Sequence, residues 1–199
     1  FISSYQCDSN NNDPSSVVKI MTLLYDYDND HDQLINMNKL LPSGYSFFTS
    51  IESNRITSQI VDFFLNHEVD PNMPDINGVY PLEYAIYKGD HHFVDTLLNS
   101  NKIDLIKNIP VKDVSIINLY NNNFASKSLS ISQSKYKTYL HLAAKSSNAV
   151  LSLFLDKDLI DINVEDDQGE TPLMDACRTN SPNNVFILFE KENLDYNKA

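Results

Sequence analysis

The chain has 199 residues, 42% of them hydrophobic, which suits one or two ordinary domains or a single array of repeats. Its 27 acidic and 15 basic residues give a formal charge of −12. Without a cluster of Lys and Arg it lacks the basic face that nucleic acids and anionic membrane surfaces require, and no apolar run is long enough to span a bilayer.

In chain order, residues 8–16 are polar and read as a loop. Val17, Val18, Met21, Leu24 and Tyr25 then recur at helical spacing and predict a helix over 17–25. The aspartates that follow, Asp26, Asp28, Asp30 and Asp32, resemble the start of a calcium-binding loop. Counted from Asp26, however, the sixth position is His31 instead of Gly, and the twelfth is Met37 instead of Glu. A start at Asp28 places Gln33 and Lys39 there, so a solvated acidic connector is the better reading. Residues 56–65 form a second helix, apolar at Ile60, Val61, Phe63, Phe64 and Leu65, as expected where neighbours cover both flanks. Phe93, Val94, Leu97 and Leu98 supply another after a turn at Gly89. His91-His92 resemble a metal pair, but adjacent helical residues do not share a face and no Cys/His companions stand near in sequence.

The clearest stretch is Asp161–Phe189. Gly169 permits the positive φ of a tight turn, Thr171 caps the following helix, and Pro172 occupies the first helical position, where a missing N–H costs nothing. Leu173, Ala176 and Cys177 follow at helical spacing, which puts Cys177 on the core-facing side. With Cys7 far away, both cysteines read as reduced and structural. The same frame stands 33 residues earlier as Thr138-Tyr139-Leu140-His141-Leu142-Ala143-Ala144. It recurs as Asp75-Ile76-Asn77-Gly78-Val79-Tyr80-Pro81-Leu82-Glu83-Tyr84-Ala85, and in weaker form from Gly44 to Ile51. All four glycines fall on this pattern: Gly44, Gly78 and Gly169 at the turn before the helix, Gly89 between paired helices.

The pattern resembles the ankyrin repeat, Asp-x-x-Gly-x-Thr-Pro-Leu-His-x-Ala at a period near 33. The resemblance implies an all-α repeat solenoid of helix–turn–helix units with β-turn fingers. Its expected units are a partial one at 1–37, then 41–72, 75–104, 135–163 and 166–197. Pairs of an apolar residue or Pro with Asn mark where each finger begins: Ile35-Asn36, Pro71-Asn72, Ile162-Asn163 and Tyr196-Asn197. Tyr80 to Thr138 exceeds one period, so an insertion is expected at about 105–134, with a local helix near 114–120. Such a loop is either a partner-binding or regulatory element with phosphorylatable serines, or inert. Phe47 and Tyr139 replace the motif proline, and Tyr136 stands at the fingertip glycine position, which predicts a distorted third finger.

The function implied by the resemblance is recognition of a protein or peptide partner by the concave surface of fingers and inner helices. Carried over by position, the contact candidates are Tyr45, Ser53 and Asn54 in the first full repeat, and Ile76, Asn77, Val79, Tyr87 and Lys88 in the second. They are Lys137, Lys145 and Ser146 in the third, and Asp167, Gln168, Glu170, Arg178 and Thr179 in the last. His141 fills the motif's His slot, where the resemblance implies an imidazole bonded to nearby backbone. Nothing at fixed spacing offers it a catalytic partner, and no phosphate-binding Gly-rich loop, Gly-x-Ser-x-Gly elbow or Cys-x-x-Cys pair occurs. No catalysis, cofactor or metal is therefore expected. Lack of an initial Met, of a signal peptide and of Asn-x-Ser/Thr predicts a fragment of a longer intracellular protein, cytoplasmic or nuclear, monomeric alone. The alternative is a regulatory or targeting array of a larger enzyme or channel.

Overall fold

The computed structural model describes residues 14–30, 36–50, 58–112 and 135–198. Among them are eight helices: α1 (Pro14–Asp30), α2 (Ser58–Asn66), α3 (Pro81–Lys88), α4 (His91–Asn99), α5 (Tyr139–Lys145), α6 (Asn148–Lys157), α7 (Pro172–Arg178) and α8 (Pro182–Phe189). Two short strands, β1 (Ile109–Pro110) and β2 (Tyr136–Lys137), pair antiparallel. Helices α3, α5 and α7 touch in succession as an inner layer, while α2, α4, α6 and α8 do so as an outer layer, with α1 against α2. This is the helical repeat solenoid expected from the sequence.

Local chemistry sets the helix ends. The Thr171 hydroxyl accepts from Met174 N at 3.4 Å and Pro172 opens α7, as Pro81 opens α3. Asp90 and Ser147 cap α4 and α6 by accepting from Phe93 N (3.1 Å) and Val150 N (3.4 Å). After α3 the chain turns on Gly89, and Asp90 N donates to Ala85 O at 3.1 Å. After α7, Asn180 takes the same left-handed turn at φ +51°, and Ser181 N donates to Ala176 O at 3.1 Å.

Ala85, Ala143 and Ala176 are fully buried at equivalent places, and their small side chains let the inner helices approach closely. Phe48 joins the first full repeat to the second, its ring centroid 5.4 Å from Phe64 in its own repeat and 6.4 Å from Phe93 in the next. No helix pair could hide such a face alone; the stack makes one continuous core.

Asparagines tie finger bases together at three of the steps along the stack. Asn38 Nδ2 donates to Glu68 O (2.9 Å) and its Oδ1 accepts from Asp70 N (2.7 Å). Asn72 does the same to Lys102 O and Asp104 N, and Asn163 to Asn193 O and Asp195 N. The finger-start pair in the first repeat is therefore Met37-Asn38, not Ile35-Asn36. Asn36 instead accepts from Asn38 N (2.9 Å), the role of Asp70 toward Asn72.

Helix α1 also differs from expectation. It begins at Pro14 and continues through Asp26–Asp30, which are its last turns and not a connector. Tyr25 packs edge-on against Phe63 (6.4 Å) and His67 (4.5 Å), which holds this end of α1 on α2 while Asp26 and Asp30 stay in water.

Candidate functional site

Fingers two and four close in the same way. Asp75 Oδ1 accepts from Asn77 N (2.8 Å) and Val79 N (3.0 Å), and Asp75 N donates to Val79 O at 3.0 Å. Asp166 Oδ1 accepts from Gln168 N (2.8 Å) and Glu170 N (3.0 Å), with Asp166 N on Glu170 O at 2.9 Å. Each carboxylate thus satisfies the donors of its own turn. Gly78 and Gly169 take φ of +73° and +77°, which an L side chain resists.

The third finger is different. Ile109 pairs with Lys137 and Pro110 with Tyr136, the register that Asp75 and Val79 set in the second. The extra residues therefore enter at the fingertip, between Pro110 and Tyr136, a narrower place than 105–134. Residues 113–134, with the helix expected near 114–120, lie outside the described residues. The returning strand is held by Asp167, whose carboxylate accepts from Lys135 N (3.0 Å) and Tyr136 N (3.1 Å).

Burial separates the contact candidates into two groups. Ile76 is 71% exposed, and Asp167 and Gln168 are exposed too. Tyr45, Asn77, Lys88, Lys145, Ser146, Glu170, Arg178 and Thr179 are half-buried. Val79, Tyr87 and Lys137 are buried, which corrects their expected place on the contact surface. Val79 lies at the finger base facing the helices, Tyr87 donates its hydroxyl to Glu83 Oε1 (2.7 Å), and Lys137 is enclosed by carboxylates. Ser146 Oγ is committed to Ile86 O at 2.8 Å, and Ser53 and Asn54 lie outside the described residues. Cys177 is exposed, against expectation, in an open groove of about 470 Å³ with Pro182, Val185, Phe186 and Phe189.

Sequence reasoning missed an ion network joining the third and fourth repeats. Lys137 Nζ lies 2.6 Å from Asp166, 2.9 Å from Asp175 and 3.0 Å from Glu170. Lys145 stands 3.5 Å from Asp175, and Arg178 binds both Glu170 and Asp175. Burial works against the Lys137 ammonium, but bonding to Asp166, with Asp175 and Glu170, more than offsets it and holds its pKa above the usual lysine range. Burial prevails at Lys145, whose pKa is lowered. At Glu170 burial is outweighed by bonds from Arg178 and Lys137, which lower its pKa. Of the candidates, Lys137, Lys145, Glu170 and Arg178 are thus brought together, but chiefly to bind one another.

His141 joins the same interface. Its Nε2 donates to Glu170 O at 2.8 Å, leaving Nδ1 to pair with Thr138 Oγ1 at 2.8 Å, and burial lowers its pKa toward the neutral form. The His91 and His92 rings lie 4.0 Å apart, closer than helical spacing predicts, both exposed at the start of α4. Among the described residues no three His, Cys, Asp or Glu side chains are grouped to hold a metal, and no helix is long and apolar enough to cross a membrane.

Comparison with known proteins agrees with this geometry. Residues 112–199 match a family described as ankyrin repeats (3 copies), and residues 53–98 one described as ankyrin repeats (many copies). Human Rabankyrin-5 is 26% identical over 154 residues, covering 61% of this chain and 13% of that protein. Ankyrin repeats generally serve as protein–protein interaction modules and are typically non-catalytic. With matches over both parts of the array, and fingers and helix pairs to suit them, the chain belongs to the ankyrin-repeat family.

Proposed function

We propose that the array is a scaffold or adaptor that binds a protein segment along the rim of exposed fingertips and the accessible ends of the inner helices. The observation that carries this reading is the division of labour at the tips. Asp75, Gly78, Asp166 and Gly169 hold the turns, which leaves the Ile76 side chain exposed to a partner, beside an exposed Gln168 whose amide donates to Asp167 O at 3.0 Å. Ile76 keeps its backbone role, donating N–H to Gly44 O at 2.8 Å, whatever its side chain does. The proposal includes an intracellular setting and the repeat boundaries given above, with the insertion drawn in to the third fingertip.

Affinity capture with the intact chain, followed by titration of the recovered partner against Ile76→Asp combined with Gln168→Ala, tests the rim. A loss of more than about tenfold in affinity with an unchanged melting temperature is expected, since a buried apolar contact of this size contributes on the order of 1.5–3 kcal/mol. Unchanged affinity would place the contact elsewhere. A second reading is an array that regulates or targets an enzyme or channel domain of a longer chain.

A further inference from the structure

Glu83 is fully buried on α3, at the position where α5 carries His141. Its carboxylate accepts from Tyr80 N (3.2 Å) and from the Tyr87 hydroxyl (2.7 Å). Its Oε2 also lies 3.8 Å from the ammonium of Lys112, a residue only 9% exposed. Lys112 Nζ donates to Pro110 O at 3.2 Å and lies over Gly78, where an added Cβ would stand 3.7 Å from it. Pro110 occupies the position of Ile76 but has no N–H, so it cannot repeat the bond that joins fingers one and two through Gly44 O. Between fingers two and three a buried charge pair stands where a backbone bond stood before.

We propose that the Glu83–Lys112 pair is an acid-released clasp, fastening the entering strand of the third finger to helix α3 of the second repeat only while Glu83 is ionised. Burial pushes the Glu83 carboxyl up to about 7, against the opposing pull of Lys112 and the bonds from Tyr87 and Tyr80, while Asp75 adds to the rise. The groups that face it are Asp75 from the second finger, Tyr87 on its own helix, Lys112 from the third finger and Tyr139 from α5. Both tyrosines are pushed up by burial and stay neutral. Protonation leaves a neutral acid that still bonds Tyr87 but no longer attracts Lys112. The coupling is reciprocal: an empty Lys112 position raises the Glu83 pKa further. A modest fall in pH thus frees the third finger's entering strand without unfolding the helices beneath it.

The test is hydrogen exchange at the Val111 amide, which donates to Lys135 O at 2.8 Å, measured on the intact chain from pH 8 to pH 6 and corrected for intrinsic rates. Protection is expected to fall several-fold with a midpoint near 7, alongside the Glu83 carboxyl carbon signal in NMR. Glu83→Gln is expected to show the low protection at every pH. Lys112→Met is expected to do the same and to move the Glu83 midpoint upward. Protection that is constant in the unsubstituted chain, or a step that survives Glu83→Gln, overturns the clasp. If Glu83→Gln fails to fold, Lys112→Met decides alone, and an unmoved Glu83 midpoint with a retained step overturns it equally.

Discussion

The second and third fingers follow one register but are held by different means. In the second, residues 76–78 close the turn and Asp75 satisfies its donors. In the third, Ile109 stands in place of Asp75, Tyr136 in place of Gly78, and residues 110–136 separate the paired ends. The third finger keeps its own strand pairing and is also held by its neighbours: Lys112 on the Glu83 side, Asp167 on the returning strand, and Lys137 among three carboxylates. Charge at the third finger therefore adds to the backbone pairing that it shares with the second, and substitutions at equivalent positions should differ in cost.

The largest difference is expected at the pair Val79 and Lys137. Lys137→Met leaves Asp166 and Asp175 buried without their main counter-charge, a loss of about 3–5 kcal/mol in urea denaturation. Val79→Ala only removes buried methyl groups from a fully covered site, a loss of about 2 kcal/mol. Equal losses would show that the ion network adds nothing beyond packing.

Next in size is the pH response of Glu83. Its folded pKa of about 7 lies above the ordinary 4.5, so the folded state holds the proton more tightly than the unfolded chain. Its contribution to stability is therefore full below pH 4.5 and is lost as pH rises through 7, by on the order of 3 kcal/mol. His141, with a lowered pKa, works in the opposite sense: its contribution is present above the ordinary histidine value and is lost as pH falls. Subtracting the pH–stability curve of Glu83→Gln from that of the unsubstituted chain isolates the first effect. A difference that stays flat between pH 5 and pH 8 contradicts it.

Gly78→Ala and Gly44→Ala sharpen the comparison at the tips. Both positions have φ above +70°, so each substitution costs about 1–2 kcal/mol for the left-handed backbone. At Gly78 the new methyl meets Lys112 Nζ at an ordinary 3.7 Å; at Gly44 it meets Ile76 Cγ2 at 2.7 Å and something must shift. Thermal melts should therefore rank Gly44→Ala as the more damaging of the two.

How much of this was legible follows from where the signal lies. Helix starts at Thr171-Pro172 and Tyr80-Pro81, the fingertip glycines and the buried alanines were readable because each answers a local backbone or packing demand. Lys137, Tyr87 and Val79 were misplaced because carry-over by position treats residues beside a turn as outward, while Glu83 holds Tyr87 inward, Asp166 and Asp175 hold Lys137, and Val79 belongs to the apolar core. Asp166 and Asp175 sit in other elements from Lys137, and nothing in the spacing announces them, whereas Glu83 stands four residues before Tyr87 on the same helix. Asn36 was mistaken for Asn38 because both are Asn and only the 34-residue step to Asn72 distinguishes them. One usable signal was passed over: Glu83 stands at a buried helix position where the next repeat has His141, and a polar group there needs a partner.

The smallest expected effect lies at Ile76 and Asp167, equivalent positions in the second and fourth fingers. Ile76 connects to the preceding finger through its backbone N–H, so Ile76→Ala leaves that link intact and should fall within about 0.5 kcal/mol of the unsubstituted chain. Asp167 connects through its side chain, whose carboxylate is held below its ordinary pKa by the donors of Lys135 and Tyr136 although burial pulls the other way. Asp167→Ala returns those two amides to water and should lower stability slightly, with faster exchange at Lys135 and Tyr136. The sign of the pH effect follows: with its folded pKa lowered, Asp167 contributes above the ordinary aspartate value and loses its contribution as pH falls below it. Exchange at Tyr136 that is equally slow in both variants would mean that the paired strands, and not the fourth finger, hold the returning end of the third.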